Sequence, residues 1–178
     1  MRNTASNKAH KPTPVPGKDQ LKKGDEILRK ETNMKMDEGT WNTVQQRLGY
    51  DDEETKKFRE NPRNADVLGK APALMNKTIV AKVVDPHGCN SEHKVGDKFY
   101  FDGAGNLITK LCPKRICIYA LSSIAGLIFT SNELFYAGID PNEMRFRRAG
   151  CFDVGVQCGG WGHIVMELSV EDRGKLNK

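Results

Sequence analysis

Residues 116–129, which read ICIYALSSIAGLIF, form the longest apolar run in the chain. Apolar and small residues recur along it at helical spacing. One side of such a helix would carry Ile116, Tyr119, Ala120, Ser123, Ile124, Leu127 and Ile128. The run is shorter than the roughly 20 residues that a membrane-spanning helix needs. We therefore expect a buried core helix and no interaction with a membrane.

Strand patterns flank this helix on both sides. The β-branched segment TIVAKVV at 78–84 predicts one strand, and 96–103 predicts a second between turn residues. After the helix, 151–157 and 163–170 predict two more, joined by a glycine-rich hairpin at 159–162. The pattern predicts an α+β fold in which a small, mostly antiparallel sheet packs on one long helix.

A helical N-terminal unit is expected ahead of the sheet. Asp37 or Thr40 can cap a first helix that Gly49 ends. Four acidic residues at 51–54 predict the start of a second helix, where the helix dipole favours negative charge. A short third helical piece should break at Pro72.

These patterns divide the chain into four parts. The expected parts are a disordered basic arm at 1–35, the helical unit at 36–76, an α+β domain with the cysteines at 77–170 and a tail at 171–178. The arm is rich in Pro, Lys and Asn, which is the composition of disorder.

The net charge of +5 is concentrated in the arm. Residues 1–35 hold nine Lys or Arg and four Asp or Glu, whereas residues 36–178 hold nineteen of each. A nucleic-acid-binding fold should carry its basic patch on the folded part, so no nucleic-acid partner is expected. The first residues also lack the apolar core of a secretory signal. Five cysteines are too few, and odd in number, for a disulfide scaffold, which predicts a reducing, cytoplasmic location.

Cys112 is the candidate reactive thiol. It directly precedes Pro113, and because proline is favoured at the first helical position, Cys112 is the predicted N-cap of the core helix. A thiol there faces free N–H groups and has Lys110, Lys114 and Arg115 as neighbours in sequence, all of which favour thiolate. The residue could then act as a nucleophile or a redox group.

A metal site is the second interpretation of the same residues. The candidate ligands are Cys89, His93, Cys112 and Cys151, with His87 or Cys158 as an alternative fourth ligand. Tetrahedral zinc accepts such mixtures of thiolate and imidazole, so zinc is the cofactor they would suit. No Cys-x-x-Cys pair is present, so spacing alone does not define the site. A third interpretation leaves the thiols as packing and loop residues, as expected for Cys117 in its apolar surroundings.

Two further features indicate a binding surface. Trp161 lies among glycines, where a bulky aromatic on a turn can meet a partner or cover its own core. Arg145, Arg147 and Arg148 could bind an anionic group or a partner's carboxylates, or form a solvated edge.

Three short blocks resemble the motifs of a small uncharacterised prokaryotic family that is common in anaerobes. They are HKVGD at 93–97, LCP at 111–113 and the pair Gly150-Cys151. The resemblance covers roughly 77–170 and implies that Cys89, Cys112 and Cys151 act together. The chain departs from the family pattern at Lys114-Arg115 and at Phe152, and the resemblance brings no known activity.

The leading hypothesis is an accessory or small subunit of a multi-component anaerobic enzyme, with a cysteine-lined site that could hold a metal. One alternative is a free-standing thiol- or metal-dependent enzyme acting on a small molecule. Another is a non-catalytic binding module that uses Trp161 and the arginines. The expected partner is a larger protein subunit or further copies of the chain.

Overall fold

The computed structural model describes residues 36–175 of the 178-residue chain. The chain divides into two compact units, Met1–Ala65 and Asp66–Lys178. The predicted arm at 1–35 lies outside the described residues, as do the last three residues of the predicted tail.

The first unit contains helices α1 (Glu38–Leu48) and α2 (Asp52–Glu60). Asp37 is the N-cap of α1, since its carboxylate accepts hydrogen bonds from the Thr40 N–H at 2.9 Å and the Thr40 hydroxyl at 2.8 Å. These bonds, the hydroxyl first, lower the pKa of Asp37. Gly49 follows α1 in the left-handed conformation that the sequence predicts for a helix stop.

Helix α2 begins with a capping box. The Asp51 carboxylate accepts from the Glu54 N–H at 2.8 Å, and the Glu54 carboxylate accepts from the Asp51 N–H at 3.0 Å. Phe58 of α2 packs edge-on against the buried Trp41 of α1, with ring centroids 6.2 Å apart. This aromatic pair joins the two helices.

Helix α3 (Pro62–Met75) runs through Pro72, so the predicted break there is wrong. Proline has no backbone N–H, so the helix lacks one hydrogen bond at this residue. The chain around it can stay helical where packing offsets that lost bond. Leu74 supplies that packing, because it is 4 % exposed and its backbone lies directly against Gly103. A side chain at position 103 would collide with the Leu74 carbonyl.

Four strands form one antiparallel sheet in the second unit. They are β1 (Lys77–His87), β2 (Lys98–Asp102), β3 (Arg148–Gly150) and β4 (His163–Asp172). Their order in the sheet is β2-β1-β4-β3, and each neighbouring pair is antiparallel. Helix α4 (Ile118–Tyr136) packs against β3 and β4. The α+β fold expected from the sequence is confirmed.

The core lies between one face of the sheet and α4. Alternate residues of the central strands point into this core. One of them is Ala81 of β1, which lies opposite Phe99 of β2 on one side and opposite Leu168 of β4 on the other. The fully buried Ile124 of α4 belongs to the same cluster. The alternation predicted for β4 is confirmed in the buried residues Ile164, Met166 and Leu168.

Helix α4 begins at Ile118 rather than at Pro113. Its N-cap is Cys117, and the predicted N-cap Cys112 instead ends a short 3-10 turn at Thr109–Leu111 with extended backbone angles. The Cys112 sulfur accepts the Tyr100 N–H at 3.3 Å, which holds this residue beside β2 and away from the helix. The chain from 112 to 117 therefore forms a connection.

The predicted strand at 151–157 is also wrong. Strand β3 ends at Gly150, and Val156–Cys158 is a 3-10 turn. Gly155 has a φ of +76°, which breaks the extended run.

By length and composition, α4 is the one helix of the described residues that could cross a membrane. One side of it is buried against the sheet, through Ala120, Ile124 and Ile128. That side belongs to the core of the fold.

Candidate functional site

His93 lies in the connection between β1 and β2 and is 5 % exposed. Its ring meets the edge of Phe99 with centroids 5.1 Å apart, and its Nδ1 lies 3.5 Å from Asp97 Oδ2. The same carboxylate oxygen accepts the Lys94 N–H at 3.0 Å, which fixes Asp97. Nε2 of His93 is buried and has no hydrogen-bond partner in the described part of the chain.

A polar cleft of about 510 Å³ lies beside this histidine. Its lining residues are Ser91, Glu92, His93, Asp97, Pro113, Lys114 and Arg115. Arg115 pairs with Glu92 at 2.9 Å across it. No cysteine lines the cleft, so neither a thiol nucleophile nor a thiolate ligand opens into it.

Each candidate thiol ligand has its own contacts in the fold. Cys112 Sγ accepts from the Tyr100 N–H and lies 3.4 Å from the Ile108 carbonyl oxygen, which can accept its proton. Cys151 Sγ accepts the Ile164 N–H at 3.4 Å. Cys89 is half-buried in the connection that follows β1.

All of these thiols pack against the hydrophobic core, as Cys117 does. All five cysteines are free, and Cys158 alone is exposed. Within residues 36–175, no three His, Cys, Asp or Glu side chains are close enough to hold a metal ion. The structure therefore does not bring Cys89, His93, Cys112 and Cys151 into one cluster.

Cys112 does not lie at the N-terminus of α4, which was one of the grounds for expecting a reactive thiol. Its sulfur instead contacts the backbone of β2 and of the 3-10 turn. A nucleophilic or redox role for Cys112 stays a prediction.

The connection between β3 and β4, residues 151–162, is held by a single carboxylate, and we call it the Asp153 loop. Asp153 Oδ1 accepts the N–H groups of Gly155 and Trp161, each at 3.0 Å. Oδ2 accepts the Gly162 N–H at 3.2 Å. These bonds, with Gly155 first and Gly162 next, lower the pKa of Asp153, and the nearby His163 adds to the effect. One carboxylate thus closes the loop.

Two glycines make this closure sterically feasible. A side chain on Gly160 would collide with the Asp153 carboxylate, and one on Gly162 would collide with the backbone of Gly88 and His87. Gly160 and Gly162 therefore let the backbone of the loop pass close to Asp153 and to the backbone of Gly88 and His87. The glycines of this run also let the chain turn.

The closed loop presents apolar side chains to solvent. Trp161 is 80 % exposed. The other exposed apolar residues of the loop are Phe152, Val154 and Val156. Soluble proteins usually expose large apolar residues singly, so four of them within one loop favour an interaction surface. This exposure contradicts one of the two sequence expectations, that Trp161 covers its own core, and the other, that it meets a partner, stays a prediction.

Basic residues lie beside the loop. Arg148 of β3 and Arg147 pair with Glu167 of β4 at 3.3 and 3.5 Å. Arg145 lies over the ring of Phe146, 4.5 Å from its centroid. β3 leads directly into the loop, and two of these guanidinium groups are held on Glu167 of β4.

A larger cavity, of about 650 Å³, lies where α4 ends and β4 approaches β1. Lys70 there pairs with Asp66 at 2.8 Å, and Lys77 pairs with Asp172 at 2.7 Å. Both ammonium groups are thus already compensated within the fold.

Sequence reasoning missed Asp153, the residue on which the loop geometry depends. An Asp two residues before a glycine and close to a glycine run is a recognisable signal for side-chain bonding to backbone N–H groups. The partners eight and nine residues away could be found only from the structure.

Comparison with known proteins finds no similarity: no protein-family model, curated protein or solved structure matches the chain. The resemblance of the HKVGD and LCP blocks to an anaerobe family therefore stays a prediction.

Proposed function

We propose that this chain is a small, non-catalytic subunit that docks onto a larger protein through the Asp153 loop. The observation that carries the proposal is a loop that hydrogen bonds to Asp153 close and in which Trp161 is 80 % exposed. Tryptophan is the residue type most enriched at the centres of protein interfaces.

The closure of the loop favours tight binding. Ordering a flexible loop on binding costs free energy, and a loop already held by one carboxylate avoids most of that cost. The Asp153 carboxylate accepts the backbone N–H of Trp161, so the backbone that carries the indole is positioned before a partner arrives.

The chemistry of the surface indicates the chemistry of the partner. Trp161, Phe152 and Val154 require an apolar pocket. We therefore expect a protein partner with an apolar pocket. Five free cysteines suit a reducing compartment, so the proposed location is the cytoplasm.

The test compares variants of the tagged full chain expressed in its native host. Wild-type chain should elute from a sizing column in a complex far larger than 19.9 kDa, with one defined companion protein. Trp161→Ala should release the chain from that complex, because loss of a central tryptophan costs about 2 kcal/mol or more, roughly 30-fold in affinity. Phe146→Ala is the matched control, since Phe146 is 67 % exposed outside the loop and should leave the complex intact.

Elution of the wild-type chain without any companion would contradict the proposal. So would a complex that survives Trp161→Ala and Phe146→Ala equally. Thermal melting of each variant checks that the fold is retained.

A further inference from the structure

Two histidines and an aspartate share the face of the sheet that points away from the core. His87 of β1 lies directly opposite His163 of β4 in the antiparallel pair. Asp85 comes two residues before His87, so its side chain leaves the strand on the same side. The neighbouring Ile164 is buried and carries the core side of this pair. The three polar groups therefore lie together on the outer face, where β4 emerges from the Asp153 loop.

The distances among these groups match the bonds of a zinc ion. His163 Nε2 lies 4.0 Å from Asp85 Oδ2. An ion halfway along this gap would be about 2 Å from each atom, which is the length of a zinc bond to imidazole nitrogen or carboxylate oxygen. The ring centroids of His87 and His163 are 6.0 Å apart. Since a ring centroid lies roughly 3 Å from a zinc ion bound to its nitrogen, rings at this separation can share one ion.

Rotation of two exposed side chains would complete the site. As they stand, no three His, Cys, Asp or Glu side chains in residues 36–175 surround one point closely enough to coordinate an ion. The side chain of Asp85 is 68 % exposed, and His87 is exposed as well. Both can therefore turn toward His163 without disturbing the core. Side-chain rotamer changes over an unmoved backbone are common on binding.

The two ring nitrogens of His163 face different neighbours. Nε2 faces Asp85, whereas Nδ1 faces the Asp153 loop, since a Cβ placed on Gly155 would lie 3.0 Å from it. The Asp153 carboxylate also interacts electrostatically with this ring. An imidazole that binds a metal through one nitrogen directs its other N–H at a carboxylate, a carbonyl or water. The orientation of His163 thus leaves Nε2 available to an ion.

We propose that His87, His163 and Asp85 bind one divalent transition-metal ion, with zinc the best fit and water in the remaining position. Zinc accepts two imidazoles and one carboxylate together with a water molecule. The ion would join the end of β1 to the start of β4 at the base of the Asp153 loop. This site uses no cysteine and does not depend on the proposed docking function.

The test is isothermal titration of the full, untagged chain with zinc chloride, which should show one ion bound per chain. His87→Gln and His163→Gln should each weaken binding about tenfold or more, since even residues that only support a metal ligand cost roughly 10- to 100-fold when they are changed. Asp85→Asn should weaken binding too, because the amide carries no charge. His10→Gln is the matched control, since it removes an imidazole that lies outside the described residues and should leave the affinity unchanged.

The thiols need a control of their own, because cysteines also bind zinc. Cys158→Ser removes the one exposed thiol and should leave the affinity unchanged. In NMR spectra, zinc should shift the imidazole resonances of His87 and His163 and leave those of the buried His93 in place. Trp161→Ala should bind zinc as the wild-type chain does, which separates this proposal from the docking function.

Three results would each overturn the proposal. They are a chain that binds no zinc, an affinity that His87→Gln and His163→Gln leave unchanged, and an ion that Cys158→Ser releases. Zinc that protects the cysteines of the site expected from the sequence against iodoacetamide would overturn it in favour of that site. Thermal melting without zinc checks that each variant is folded.

Discussion

The Asp153 carboxylate accepts the backbone N–H of Trp161 at 3.0 Å to one oxygen and 3.3 Å to the other. The residue that closes the loop is thus bonded directly to the residue that the loop exposes. Any change that releases Asp153 should alter the position of the indole as well as the stability of the loop.

Asp153→Asn should loosen the loop and lower the thermal midpoint, because an amide oxygen is a weaker acceptor for three N–H groups and its NH₂ cannot accept. Limited proteolysis should then cut within 151–162 faster than in the wild-type chain. Since the folded pKa of Asp153 is below the ordinary 3.8, its stabilisation is present above that pH and is lost as the pH falls through the folded value. The difference between wild type and variant should be constant from pH 5 to 8 and shrink below about pH 3.8. A difference that grew on acidification would contradict this assignment.

Gly162→Ala should destabilise the chain by about 1–3 kcal/mol, because the new methyl group meets the backbone of Gly88 and His87, which cannot rotate away. Gly126→Ala is the matched control. Position 126 is helical and open, so alanine there should stabilise by about 0.5–1 kcal/mol. Urea unfolding of both variants at one low protein concentration measures the two effects. Equal effects of the same sign would show that the close approach at Gly162 is absent.

Ile124→Ala should cost about 2–5 kcal/mol, since Ile124 is fully buried between α4 and the sheet. Leu127→Ala should cost less, because Leu127 is only half-buried at the edge of the same core. Chemical unfolding gives both values. If Leu127→Ala cost more than Ile124→Ala, the side of α4 that faces the sheet would be misassigned.

Cys158 should react first with iodoacetamide, because it is the one exposed cysteine of the five. Cys112 and Cys151 should react slowly, since each sulfur is half-buried and bonded to backbone. Peptide mass spectrometry after timed labelling gives the order, and a chelator should not change it. Protection of Cys89, Cys112 and Cys151 that the chelator relieves would instead establish the metal site expected from the sequence.

The sequence predicts the fold well wherever local signals and burial agree. Asp37 and Gly49 mark both ends of α1 because capping depends on residues close in sequence. The alternation in β4 predicts its buried face because one side of that strand meets the core.

The errors come from contacts between distant residues. Pro72 stays helical because Leu74 packs on Gly103, and Cys112 leaves the helix because its sulfur bonds to Tyr100. The predicted strand at 151–157 is replaced by a loop because Asp153 captures N–H groups up to nine residues away. None of these contacts between distant residues can be predicted from a local sequence pattern. The same holds for the finding that the candidate metal ligands do not form one cluster.

Photo-cross-linking from position 152 tests the docking function most directly, because Phe152 is exposed in the same loop and its replacement keeps Trp161. Benzoylphenylalanine would replace Phe152 in the full chain expressed in its native host, with the same replacement at Phe146 as the control. The proposed function predicts one dominant adduct with a larger protein from position 152 and none of that mass from position 146. Equal adducts from both positions, or none from position 152, would contradict it.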